Sequence, residues 1–176
     1  MIAKKLAAPA LLALALGGCS TLSDLPTDRV GQASLTLANG VPAGTAQLLS
    51  NGTTVSIAIA VTGIEPGPHG FHLHTTGKCE APGFTSAGGH LNPAGRQHGS
   101  ENPSGKHLGD LPNLVVGANS TATAEFDLSG TRDQVLADIF DADGTAVMIH
   151  AGADDYRSDP AGDAGSRIAC GVLRPA

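Results

Sequence analysis

Six of the seven histidines in this 176-residue chain fall in short motifs of its C-terminal part, and with one aspartate they offer the donors of a two-metal site. His72 and His74 stand two apart in Gly70-Phe71-His72-Leu73-His74. His90, His98, His107 and Asp110 follow in a Gly- and Pro-rich region, and His150 closes the set after an apolar run. Imidazole is the commonest metal-binding side chain and serves both zinc and copper. A mixed His/Asp set without thiolate suits zinc, and His107 and Asp110, three apart, can converge on one ion from a tight turn. One ion takes three or four ligands, so the surplus points to two ions. Spacing alone does not say which residue binds which.

The elements that must position these side chains read as strands. On a strand, residues two apart share a face, so His72 and His74 point together while Phe71 and Leu73 enter the core. The same rule turns His69 to the opposite face and leaves it a structural role. Short alternating runs at 33–37, 44–49 and 53–61 are punctuated by Asn39-Gly40 and Asn51-Gly52, which are hairpin signals. Further strands are expected at 70–74, 113–116, 121–128, 146–150 and 167–173, whereas 134–140 fits either one short helical turn or another strand. No long amphipathic helix appears. The expected class is all-β, an antiparallel sandwich or barrel. Two stretches break the pattern, 75–111 and 151–166, and loops of that length in a compact domain are usually functional or disordered. The first contains Cys79 and four of the candidate ligands, so metal and disulfide bonds are available to order it.

The N-terminus reads as an export signal. Lys4 and Lys5 precede an apolar run from Leu6 to Leu16 that is too short to span a bilayer. Leu16-Gly17-Gly18-Cys19 then has the form of a lipoprotein signal, cleaved before Cys19 with lipid on its sulfur. Residues 1–18 are thus expected to be the signal peptide, 19–30 the lipidated Cys and a polar tether, and 31–176 the folded domain. Losing Lys4 and Lys5 moves the net charge from −6 to −8. So acidic a chain is a poor partner for nucleic acid, whose phosphates need a basic face. With Cys19 lipidated, Cys79 and Cys170 are the only pair left to form an internal disulfide in an oxidising compartment.

The motifs together resemble the copper/zinc superoxide dismutases, in particular their exported bacterial branch. The stretches that carry the resemblance are H-G-F-H-L-H at 69–74, G-G-H-L-N-P at 88–93, H-G at 98–99 and K-H-L-G-D-L-P at 106–112, followed by V-M-I-H-A-G-A-D-D-Y at 147–156 and S-R-I-A-C-G-V at 166–172. It covers roughly residues 31–173 and implies a Greek-key barrel or sandwich of about eight strands with two long functional loops. It implies copper on His72, His74, His90 and His150, and zinc on His90, His98, His107 and Asp110, with His90 bridging the two. Asp154 matches the carboxylate that links a copper histidine to a zinc histidine, and Cys79 and Cys170 match the family disulfide. The implied reaction converts superoxide to oxygen and hydrogen peroxide by alternate reduction and reoxidation of copper, with His90 passing a proton. Arg167 matches the arginine that binds the anion beside copper.

Two other readings stand beside the enzyme. A non-catalytic periplasmic copper/zinc-binding module would be favoured by a missing copper ligand or arginine, and none is missing. A zinc hydrolase needs an open zinc position, which Asp110 as fourth ligand closes. Lys78, Arg96, Lys106 and Arg157 lie in or near the two loops and are candidates for guiding the anion. The loop at 151–166, charged in the family's eukaryotic branch, has one arginine here and no lysine. The expected state is a monomer or homodimer in the periplasm, joined to a membrane only through its lipid. Ser20 after Cys19 favours the outer membrane.

Overall fold

Small and branched residues alternating with polar ones build a three-stranded meander at the start of the domain. The computed structural model describes residues 27–176. In it β1 (Asp28–Leu37), β2 (Pro42–Ser50) and β3 (Val55–Thr62) pair antiparallel in sequence. Ala33, Leu35, Ala46, Leu48, Ile57 and Ile59 are buried, while Gln32, Ser34, Thr45 and Gln47 between them face solvent. The two Asn-Gly turns form as expected, with Gly40 and Gly52 both at positive φ. Asn51 Oδ1 locks the second turn by accepting from the backbone N–H groups of Thr53 and Thr54.

The chain then crosses to the far edge of the sheet. β4 (Gly67–His69) and β5 (Phe71–His74) precede the first long loop. β6 (Leu114–Val116) pairs with β4, and β7 (Thr121–Asp127) returns beside β3. α1 (Arg132–Ile139), capped by the Thr131 hydroxyl, leads back across to β8 (Ala146–His150). The second long loop separates β8 from β9 (Arg167–Val172), and β10 (Arg174–Pro175) is a short strand on β1. The order β5-β8-β9-β1-β2-β3-β7 describes an antiparallel sheet curled into a half-barrel, with Greek-key crossings from β3 to β5 and from β7 to β8. The β4–β6 pair spans the gap between the two edges, because β4 runs into β5 and β6 turns into β7.

The all-β expectation holds, with particular differences. Among the described residues ten strands form rather than about eight: β4, at 67–69, precedes the strand expected at 70–74 and is parted from β5 by a break at Gly70, and β10 adds a short one. A Cβ at Gly70 would press on Ala164, so the break also lets the second long loop approach. Residues 28–30, expected in the tether, belong to β1: Asp28 and Arg29 pair with Ser50 and Leu49 through the backbone, whatever their side chains. The stretch left open at 134–140 is mostly helical. The expected signal peptide, Cys19 and the first part of the tether lie outside the described residues.

Parity on the edge strands separates core from site. Phe71 and Leu73 of β5, with Val147 and Ile149 of β8, enter the main core. The alternate residues, His72 and His74 on β5 and Met148 and His150 on β8, take the other face. There Phe84 and Ala87 from the first loop pack with Ala146, Met148 and Cys170 in a second, smaller cluster. The Cys79–Cys170 disulfide, with Cα atoms 5.7 Å apart, pins that loop to β9 across 91 residues of sequence.

Candidate metal centre

The histidines of the outer face are buried beneath the two loops. His72 and His98 have no exposure, and His74, His90, His107, His150, Asp110 and Asp154 are all buried. The first loop is stitched to β5 by its backbone: Leu91 N–H donates to Leu73 O, Leu73 N–H to Gly109 O, and Thr75 N–H to Gly89 O. That stitching brings His90 beside the strand pair. Ring centroids of His72 and His90 lie 4.0 Å apart, those of His74 and His90 5.0 Å, and those of His72 and His150 4.9 Å.

Each of these four rings has one nitrogen committed and one aimed inward. His74 Nδ1 donates to Gly88 O at 2.9 Å, and His150 Nδ1 to Gly165 O at 3.1 Å. His72 Nε2 meets Asp154 Oδ2 at 2.7 Å, and His90 Nδ1 meets Asp110 Oδ1 at 2.8 Å. The remaining atoms, His72 Nδ1, His74 Nε2, His90 Nε2 and His150 Nε2, are buried without a hydrogen-bond partner. Four buried, unpartnered ring nitrogens are costly unless an ion satisfies them, and fixing the other nitrogen is how proteins orient metal-binding histidine. This donor set fits a copper ion.

A second set meets at Asp110. Its Oδ1 lies 2.8, 3.0 and 3.1 Å from the Nδ1 atoms of His90, His98 and His107. Its Oδ2 accepts from the N–H groups of Gly99 and His107, both at 2.9 Å. The far nitrogens are also held, since His107 Nε2 donates to Arg96 O at 3.1 Å and His98 Nε2 faces Asp154 Oδ1 at 3.0 Å. Three imidazoles and a carboxylate are a donor set that fits a four-ligand zinc site. His90 belongs to both groups of potential ligands.

The electrostatics of the metal-free side chains suit this division. Burial pushes His74 down to about 2 and His150 down to about 3, with the neighbouring imidazoles reinforcing it. Burial likewise lowers His90 to about 4, although Asp110 opposes it. These rings are neutral at pH 7, as metal ligation requires. His98 behaves oppositely: burial disfavours its charge, but Asp110 and Asp154 on either side raise it to about 9. For the two carboxyls burial favours the neutral acid. Hydrogen bonds from His90 and His98 to Asp110, and from His72 and His98 to Asp154, override it and hold both well below the usual carboxylate range.

Residues 42–173 match the family described as copper/zinc superoxide dismutase. The chain belongs to that family. It is 40% identical over 159 residues to "Superoxide dismutase [Cu-Zn] 2" of Aquifex aeolicus, covering 84% of this chain and 88% of the relative. A solved SOD-like protein from Bacillus subtilis superposes with a TM-score of 0.76 at 37% identity, covering 81% of this chain and 97% of that one. The Cu/Zn superoxide dismutase from Brucella abortus gives a TM-score of 0.63 at 25% identity, covering 85% and 100%.

The dismutase fold also locates the remaining expected residues. Arg167 opens β9 and donates from Nη1 to Phe84 O at 2.7 Å and from Nη2 to Gly88 O at 2.6 Å. Arg167 lines a cavity of about 350 Å³ together with His74, His90 and His150. Of the other cations read from the sequence, only Arg96 lines that cavity. Lys106 Nζ donates to Asp110 O, Arg157 pairs with Glu101, and Lys78 is exposed beside the disulfide. His69 stands apart from both donor sets, its ring between His150 O at 2.8 Å and Glu65 O at 2.9 Å.

Other contributors are not singled out by the sequence, although Tyr156 ends the motif at 147–156. Asn113 clamps the backbone of Asp154 from both sides: its Nδ2 donates to Asp154 O and its Oδ1 accepts from Asp154 N–H. Tyr156 N–H donates to Asp154 Oδ1, and its hydroxyl accepts from Asn113 N–H. Phe84, Gly88 and Gly165 act through carbonyls that any residue type carries.

Proposed function

We propose that this chain disproportionates superoxide with His72, His74, His90 and His150 holding copper and His90, His98, His107 and Asp110 holding zinc. The single observation that carries the assignment is the set of four buried ring nitrogens without partners, one on each proposed copper ligand. A non-catalytic metal-binding module would be expected to lack a donor or the cavity arginine, and this chain has all of them. In the reaction two superoxide ions and two protons give one oxygen and one hydrogen peroxide. When bound, copper supplies the one-electron exchange that no side chain here can provide, and zinc, without redox chemistry, holds the shared imidazole.

The chain's own residues do the rest. Arg167, fixed by two carbonyls, presents positive charge to the anion inside the cavity. His90 Nε2 is the atom suited to hold and pass a proton, because its Nδ1 is committed on the Asp110 side. Asp154 keeps the His72 and His98 rings oriented across the two sets. The test is superoxide consumption by protein loaded with both metals against protein loaded with zinc alone. Copper-dependent consumption is expected, and equal rates would refute the reading.

The Cys79–Cys170 disulfide supports a place outside the reducing cytoplasm. From Leu16-Gly17-Gly18-Cys19 we infer cleavage before Cys19, lipid on its sulfur and a periplasmic domain, with Ser20 favouring the outer membrane and the domain a monomer or homodimer. Fractionation of cells producing Cys19→Ala tests the anchor: release into the soluble fraction is expected, and unchanged membrane association would overturn it.

A further inference from the structure

Superoxide is a small monovalent anion, so charge is nearly the only handle a protein has on it. The neutral products offer no such handle, and a positive cavity therefore gathers substrate without retaining product. This protein begins at a disadvantage, because its net charge is −6 even before the expected loss of Lys4 and Lys5. A strongly acidic chain repels the anion at long range, and the attraction must come from cations at the cavity itself.

Arg167 is the inner cation. It is half-buried, and two of its donors are spent on Phe84 O and Gly88 O, which keeps it in place. Arg96 is exposed and lines the same cavity. Among the described residues the other loop arginine, Arg157, is neutralised by Glu101, whereas Arg96 forms no ion pair. Its backbone is nonetheless held: Asn92 Oδ1 accepts from Arg96 N–H at 2.9 Å, Asn92 Nδ2 donates to Arg96 O at 2.8 Å, and His107 Nε2 donates to the same oxygen at 3.1 Å. The residue is thus anchored to the zinc-binding loop through its main chain, and its cation is left free. The acid lining this cavity is Asp159, whose Oδ1 is occupied by the His98 N–H at 2.6 Å. On its other side Arg96 faces a smaller cleft with Lys106, His107 and Asp138.

We propose that Arg96 is the outer guiding cation of the superoxide cavity, capturing the anion at the mouth and passing it inward to Arg167. The inference rests on the dismutase reading. It also selects one residue from four that the sequence leaves equivalent. Because the anchoring contacts use only the backbone of Arg96, side-chain substitutions change the charge and leave the loop tied.

The experiment is a charge series, Arg96→Lys, Arg96→Gln and Arg96→Glu, in protein loaded with copper and zinc. Two readouts are taken at low and high ionic strength: the dismutation rate, and the affinity for azide followed by visible absorbance. At about 10 mM salt Arg96→Gln should lose roughly two- to fivefold in both, and Arg96→Glu more, with the differences fading at about 0.5 M as screening shortens the field. Arg96→Lys should stay near the wild type. Equal azide affinity in the Gln variant and the wild type at low salt would overturn the proposal, as would a loss that persists unchanged at high salt or a Lys variant no better than Gln. A wild-type protein that binds azide but does not dismutate superoxide would overturn the dismutase reading alone, and the azide series would still decide the role of Arg96.

Discussion

Asp154 Oδ2 lies 2.7 Å from Nε2 of His72, while the other oxygen of the same carboxylate lies 3.0 Å from Nε2 of His98. One side chain from the second long loop therefore sets the orientation of a ring in each donor set. Its own position depends on the reciprocal clamp by Asn113 and on Gly162, which sits at positive φ where a Cβ would overlap the carboxylate.

Asp154→Asn replaces one acceptor oxygen by a donor amide, so only one of the two rings keeps its partner. Metal affinity should fall about 10- to 100-fold, as is typical when the group behind a metal-binding histidine is lost. Competition with a chelator measures this, and an unchanged affinity would show the bridge to be idle. Gly162→Ala should move affinity in the same direction by displacing the carboxylate.

Removing the disulfide should have two effects. Opening a loop closed over 91 residues costs about 4–5 kcal/mol in the chain-entropy account. The first loop also loses its tie to β9, and with it the placement of Phe84 O and Gly88 O around Arg167. Cys79→Ser paired with Cys170→Ser should lower the denaturation midpoint and weaken azide binding. A variant that lost stability yet bound azide normally would separate Arg167 from the disulfide.

The metal-free protein should be most stable near pH 6.5. His74, His90 and His150 have folded pKa values of about 2, 4 and 3 against an ordinary 6.5. Below about pH 6.5 the unfolded chain therefore binds protons that the folded one refuses, and stability falls by ~1.4 kcal/mol per pH unit for each ring. His98 has the opposite sign. Raised to about 9, it contributes stability that is fully present below 6.5 and is lost as pH rises through 9. Thermal unfolding of the metal-free protein from pH 4 to 10 should trace this maximum; a flat profile would contradict the buried neutral rings.

The donor types are legible in the sequence because histidine and aspartate are common metal ligands, whereas their division between two ions follows from the family resemblance and not from spacing. Strand parity at His72 and His74, with Phe71 and Leu73 facing the core, is legible as well. His98 is different: alone it reads as a solvated loop residue, yet it is fully buried between two carboxylates. Its environment comes from residues 12 and 56 positions away, and no local pattern encodes that. The carbonyls of Phe84, Gly88 and Gly165 are invisible in principle, since every residue carries one. The four loop cations look alike in sequence, and only the folded loops separate Arg96 from the pairs and tethers that occupy Lys106 and Arg157.

If the copper set carries the activity, removing His150 should abolish it, because that ring belongs to the copper set and not to the zinc set. The measurement is the superoxide dismutation rate of His150→Ala against the wild type, both loaded with copper and zinc, with circular dichroism and zinc content recorded alongside. His150→Ala should lose nearly all copper-dependent activity with the fold and the zinc retained. A His150→Ala protein as active as the wild type would contradict the copper assignment.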